Sequence, residues 1–171
     1  MRGRNLRWLI ILCIVIFNFI LQSTVIPHIA VLGVVPNTAL IIVVSLAILN
    51  GKREGAVVGI IAGFLQDIFF SPVLGVNALI YFLIGYFIGI METKIYKDSL
   101  IAPFIFISLG TVIYHLLYFI IMYFLSMNSY FYDLIRNVII IEIIYNVILS
   151  IPLYKWLLKK FTVSSIKFGG K

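Results

Sequence analysis

The chain has 171 residues, of which 63% are hydrophobic and only 11% are charged, with a formal net charge of +7. A soluble domain of this size carries about a quarter charged residues, so the composition excludes an ordinary water-soluble fold and points to an integral membrane protein. The apolar runs are uniform rather than alternating, which excludes a strand barrel and leaves a single all-α, polytopic helix bundle over residues 1–171.

The first apolar stretch, roughly 8–26, follows the basic start "MRGRNLR". It is long enough to cross the hydrocarbon layer, and no small-residue cleavage pattern follows, so it reads as a retained span rather than a signal peptide. Cys13, the sole cysteine, lies inside it and reads as a small apolar side chain. Asn18 and Gln22 are its intramembrane polar residues. Residues 29–35 read as a short interfacial or re-entrant piece, and Pro36 opens a second span over 37–50.

The third span, 55–70, places Gly55, Gly59, Gly63 and Asp67 four residues apart, hence on one helix face. Small residues at that spacing let another backbone approach closely. The fourth span, 75–91, repeats the spacing with Asn77, Tyr81, Gly85 and Gly89. Span five, 99–125, carries Thr111 and His115 with Tyr114 and Tyr118 beside them. Span six, 135–158, carries Glu142, Asn146 and Ser150. Pro103 and Pro152 fall near the ends of these two spans, where a kink is tolerated. A basic tail, 159–171, follows.

Six spans sort the cations. Arg2, Arg4, Arg7, Lys52, Arg53, Lys94, Lys97, Lys155, Lys159, Lys160, Lys167 and Lys171 fall on one side, and Arg136 alone on the other. Cytoplasmic loops carry the excess of Lys and Arg, so both termini are expected on the cytoplasmic side of the membrane. The net positive charge then reflects topology and attraction to anionic lipids rather than nucleic acid. With this orientation Asn18, Gln22, Asp67, Asn77 and Glu142 fall in the outer half of the membrane, and His115 somewhat past the middle. Polar groups at that depth are costly and are expected to face the bundle interior or a cavity. Helix-to-helix hydrogen bonding accounts for Asn18, Gln22 and Asn146. For Asp67 and Glu142 both a structural and a partner-binding role stand open.

The sequence carries no zinc-binding His-Glu-x-x-His pair, no Gly-x-Ser-x-Gly turn and no phosphate-cradling Gly-Lys-Ser/Thr loop. No catalytic residue, cofactor or metal is expected. The segment "GFLQDIFFSPVLGVNALIYFLIGYFIG" resembles the MreD family of rod-shape-determining bacterial membrane proteins. The likeness rests on Gly63, Leu65, Gln66 and Asp67, on Ser71, Pro72, Leu74 and Gly75, on Asn77, Ala78 and Leu79, and on Gly85, Tyr86 and Gly89. Upstream, "LQSTVIPHIAVLGVVPNTALIIVV" fits the same pattern.

The resemblance implies a non-enzymatic scaffold of the cell-wall elongation machinery. Its partners would be an MreC-like bitopic protein and, in a larger complex, MreB, RodA and a class B penicillin-binding protein. It also implies a fold similar to the substrate-binding subunits of energy-coupling-factor transporters. That likeness leaves a second reading, a vitamin-binding transport subunit using the same outer cavity. The expected partner contact lies on helices three and four, at Gly59, Gly63, Asp67, Asn77, Tyr81 and Gly85.

Overall fold

The computed structural model describes residues 2–126 and 131–166, with side chains placed for 5–126 and 138–161. Arg2, Arg4, Arg136, Lys167 and Lys171 therefore lie outside the described side chains. Six α-helices run in chain order: α1 Arg2–Thr24, α2 Thr38–Asn50, α3 Lys52–Phe70, α4 Val76–Ile90, α5 Ile101–Phe124 and α6 Phe131–Ile166. Two short 3-10 turns, Ile26–Ile29 and Glu92–Lys94, join α1 to α2 and follow α4. Among the described residues the extended pairing is limited to one isolated bridge, Val31 with Val34.

Three segments are long and apolar enough to cross a membrane: Asn5–Thr24, Ile101–Phe124 and Val138–Phe161. Their outer faces carry exposed aliphatic and aromatic residues, such as Leu12, Ile16 and Ile20 on α1, Phe104, Leu109 and Leu116 on α5, and Ile140, Ile144 and Ile148 on α6. Apolar faces this extensive are unfavourable against water and favourable against lipid.

At the centre lies α2, buried from Thr38 through Leu49. A helix that is apolar all round belongs in an interior, and α2 packs against all five other helices. Its 13 residues span only about 20 Å, well short of a bilayer core of about 30 Å. Being wrapped by protein, it need not reach either membrane surface.

Basic residues gather at one end of the bundle. There Arg7 pairs with Glu54 at 3.0 Å, and Lys97 binds Glu92 and donates to the Leu49 carbonyl. Tyr154 donates to the Lys97 carbonyl, and the Arg7 guanidinium lies over Phe161. These contacts tie the start of α1, the α2–α3 turn and the end of α6 together. The opposite end of the bundle holds the candidate site.

The tightest helix pair is α3 with α4. A Cβ added at Gly63 would lie 2.5 Å from the Ala78 backbone and the Asn77 carbonyl. Gly59 meets the Tyr81 backbone, and Gly55 and Gly85 face each other. The close approach that the spacing foretold is thus made within the chain, between α3 and α4. The sides of α3 and α4 carrying these glycines are filled by the chain itself.

Candidate functional site: a polar cavity at the far end

Because α2 begins low in the bundle, the space beyond its first turn is enclosed by the longer helices around it. A partly open cavity of about 360 Å³ results. Its lining comes from α1 (Gln22), the α1–α2 connection (Pro27, Val35, Pro36, Asn37), α3 (Gln66, Phe70), α4 (Asn77), α5 (Tyr114, His115, Tyr118) and α6 (Glu142). Five of the six helices contribute, in a molecule whose remaining surface along the helices is largely apolar.

The floor is set by Asn37, the N-cap of α2. Its side-chain oxygen accepts from the Leu40 amide at 3.0 Å, the usual reason for asparagine at that position. Its own amide donates to Asn146 Oδ1 at 2.8 Å. Asn146 Nδ2 donates in turn to Thr111 Oγ1 at 3.0 Å and Glu142 Oε1 at 3.3 Å. Glu142 Oε2 lies 2.7 Å from His115 Nε2. One continuous polar path therefore joins α2, α6 and α5.

A second path crosses to α3 and α4. The buried Tyr81 hydroxyl sits 2.8 Å from Asn37 Oδ1 and 2.6 Å from Gln66 Oε1. A hydroxyl has one proton and cannot donate to two oxygens at once, so the three groups share it. The Tyr114 hydroxyl donates to Asn77 Oδ1 at 2.7 Å, and its ring centroid lies 5.4 Å from that of Tyr81. Gln22 accepts from Thr38 Oγ1 at 3.2 Å, fastening α1 to the start of α2.

Asp67 stands behind this wall, 1% exposed. Its Oδ2 accepts from the amides of Gly75 and Ala78, and its Oδ1 from the amide and side-chain Nδ2 of Asn77, all at 3.0 Å. The N-cap position of α4 is Gly75, which has no side chain to offer. Asp67 supplies that cap from the preceding helix. Its charge is met by the first-turn N–H groups and the positive end of the α4 dipole, which is why an acid can reside there without a basic partner.

The residues singled out by sequence thus divide into four groups. Gln22, Asn77, His115 and Glu142 line the cavity. Asp67, Tyr81 and Asn146 support it from behind through the hydrogen bonds above. Gly59, Gly63 and Gly85 lie in the α3–α4 contact, and Asn18 is buried on α1 outside the lining. Asn37 is the main residue that sequence reading passed over. The signal was available, since Pro36-Asn37 directly precedes an apolar run, a common helix-start signature.

Chemically, the cavity offers carboxamides, tyrosine hydroxyls, one imidazole and one carboxylate against aromatic and proline walls. Among the described residues no cluster of three or more His, Cys, Asp or Glu is placed to hold a metal ion. Such a lining suits neutral and polar hydrogen-bonding groups flanked by apolar ones.

Long apolar helices around a buried polar network make this an integral membrane protein of the all-helical class. Residues 2–162 match the family model of rod shape-determining protein MreD, and the chain belongs to that family. Membership assigns it a role in rod-shape determination, among shape-determining structural membrane proteins. Comparison with curated proteins and with solved structures gives no match.

Proposed function

We propose that this protein is a scaffold of the rod-shape machinery that holds a single-span, MreC-like partner, and that the polar cavity receives a membrane-proximal segment of that partner. The observation carrying this reading is the cavity itself. It is a polar recess among helices that otherwise present apolar faces, and its lining is built to hydrogen-bond something. The glycines of α3 and α4, the other candidate contact, are consumed by internal packing. MreB, RodA and a class B penicillin-binding protein would join through a larger complex. The vitamin-binding alternative gains nothing from the family assignment and is kept only as an outcome of the test.

The proposal includes six membrane passes with the basic end and both termini in the cytoplasm, so that the cavity opens outward. Arg7, Lys52, Lys94, Lys97, Lys155 and Lys159 on one side support that orientation through the positive-inside rule. In a Cys13→Ala background, Pro72→Cys in the α3–α4 turn is expected to react with an impermeant thiol reagent in intact cells. Lys94→Cys is expected to react only after lysis. The reverse pattern would invert the orientation.

Co-purification tests the partner. Tyr118→Ala and Gln22→Leu alter the cavity lining and leave the Asp67 cap and the α3–α4 contact intact. Each is expected to weaken retention of the MreC-like protein by about tenfold, or about 1.4 kcal/mol, while the purified variant stays folded; Gln22→Leu also removes the bond from Thr38 and lowers the thermal midpoint modestly. Undiminished retention in both would remove the cavity from the binding surface. A small solute released on denaturation, in place of any protein, would favour the transport-subunit reading.

A further inference from the structure

We infer that the turn between α1 and α2 is a membrane-contact element, residues 29–35 resting their apolar side chains in the lipid leaflet at the far end of the bundle. The segment forms a two-residue hairpin. The Val31 amide donates to the Val34 carbonyl at 3.1 Å and the Val34 amide to the Val31 carbonyl at 2.9 Å. Both central residues are left-handed, Leu32 at φ 53° and Gly33 at φ 79°. A turn of this shape favours Asn-Gly, because asparagine tolerates positive φ and leucine does not. Leu32 is nonetheless the residue at the tip, and it is 84% exposed. It makes no packing contribution inside the chain that would offset its strained backbone.

The exposure is one-sided. Ile26 and Val34 are buried, and the Tyr145 hydroxyl on α6 donates to the Ile29 carbonyl at 2.9 Å, so the hairpin is moored to the bundle. Ile29, Val31 and Leu32 point away from it, each more than 40% exposed, while Val35 turns toward the cavity it helps to line. A moored loop with its apolar residues turned outward needs an apolar medium on that side.

Depth and charge identify the medium. The apolar part of α1, Asn5–Thr24, has 20 residues and extends about 30 Å, which brings Thr24 to the hydrocarbon boundary. The bond from Thr38 to Gln22 sets the start of α2 level with the last turn of α1. The connection therefore leaves α1 at the boundary and returns to a point within it. No Asp, Glu, Lys or Arg occurs between Arg7 and Lys52, and His28, which precedes the hairpin, is the one ionisable side chain of the α1–α2 connection. A partner strand could also cover apolar residues, but both ends of the connection lie at the hydrocarbon boundary, where lipid is the apolar medium already present. Lipid is the occupant the geometry favours, and this holds whichever leaflet the far end faces.

The experiment uses the full-length protein in nanodiscs of phosphatidylcholine and phosphatidylglycerol, with Cys13→Ala and an environment-sensitive fluorophore on Leu32→Cys. Val31→Cys serves as a second probe if the first fails to fold, and Lys94→Cys as the water-facing control. The expected result is blue-shifted emission at the hairpin, quenched by lipids spin-labelled on the acyl chain. Quenching by aqueous iodide should be several-fold weaker than at Lys94→Cys, all with no partner present. Iodide access equal to the control, with no lipid quenching, would overturn the inference. So would a blue shift that appears only when the MreC-like partner is added, which would assign the hairpin to protein contact.

Discussion

Replacing Asp67 by leucine is expected to abolish accumulation of the folded protein. The substitution strips the acceptor from three backbone amides and the Asn77 side chain together. A buried donor left unpaired costs roughly 1–3 kcal/mol, and the loss falls at the start of α4, where helix and cavity wall meet. Three or more such donors approach the whole stability of a typical domain, about 5–15 kcal/mol. Asp67→Asn keeps one acceptor oxygen and should give an intermediate loss. Leucine at Asp133, which the sequence places in the loop before the sixth span and the structure in the first turn of α6, should be far milder. The check is the thermal midpoint and yield in detergent, together with rod-shape complementation. A midpoint for Asp67→Leu equal to the parent would show that the α4 cap carries no weight.

The second large effect is expected at the α3–α4 contact. At Gly63 a side chain would meet backbone rather than the flexible end of a neighbour, so no rotamer change can make room. Gly63→Leu must separate two helices along their length, and a cost above about 3 kcal/mol is expected, at the upper end for overpacking. Phe64→Leu, one residue away on the exposed face of α3, should stay within about 0.5 kcal/mol. Thermal denaturation of the two purified variants reads the contrast. Because Gly63→Leu is expected to break the fold itself, loss of a partner in that variant says nothing about a partner surface. Cavity-lining substitutions are the ones that can.

These two sites also mark how far sequence reasoning reaches. The spacing of Gly55, Gly59, Gly63 and Asp67 showed which face of α3 packs closely, because helical periodicity alone places them together. It carried no information on what packs there, and α4 of the same chain fills the position. Asp67 could be read as interior from its place on that stripe. Its partners are backbone amides around Gly75, and backbone amides leave no trace in a residue pattern. The cavity was legible only as a coincidence of depth among Gln22, Asn77, His115 and Glu142. That these residues converge, while Asn18 at similar depth does not, depends on helix rotations set by packing. Asn37 and Tyr81 show the same limit. Their hydroxyl and carboxamide meet across 44 residues of sequence, a contact that no local rule specifies.

The short helices show a physical reason for the site. A buried α2 of 13 residues cannot fill the full height of the longer helices, and the unfilled height must be either apolar and packed or polar and hydrogen-bonded. Here Asn37, Gln66, Asn77, Asn146 and Glu142 take the second course. Buried polar networks of this kind hold unique geometry when every member is paired, which suits the partner-holding role proposed for the cavity.

Site-specific photocrosslinking in growing cells tests the central proposal most directly. A photoreactive residue placed at Tyr118 reports on the cavity lining, and one at Phe104, exposed on α5, reports on the lipid-facing surface. The expected result is a crosslink from position 118 to the single-span MreC-like protein and none from position 104. A crosslink to that partner from 104 with none from 118 would contradict the assignment of the cavity as the place where the partner is held.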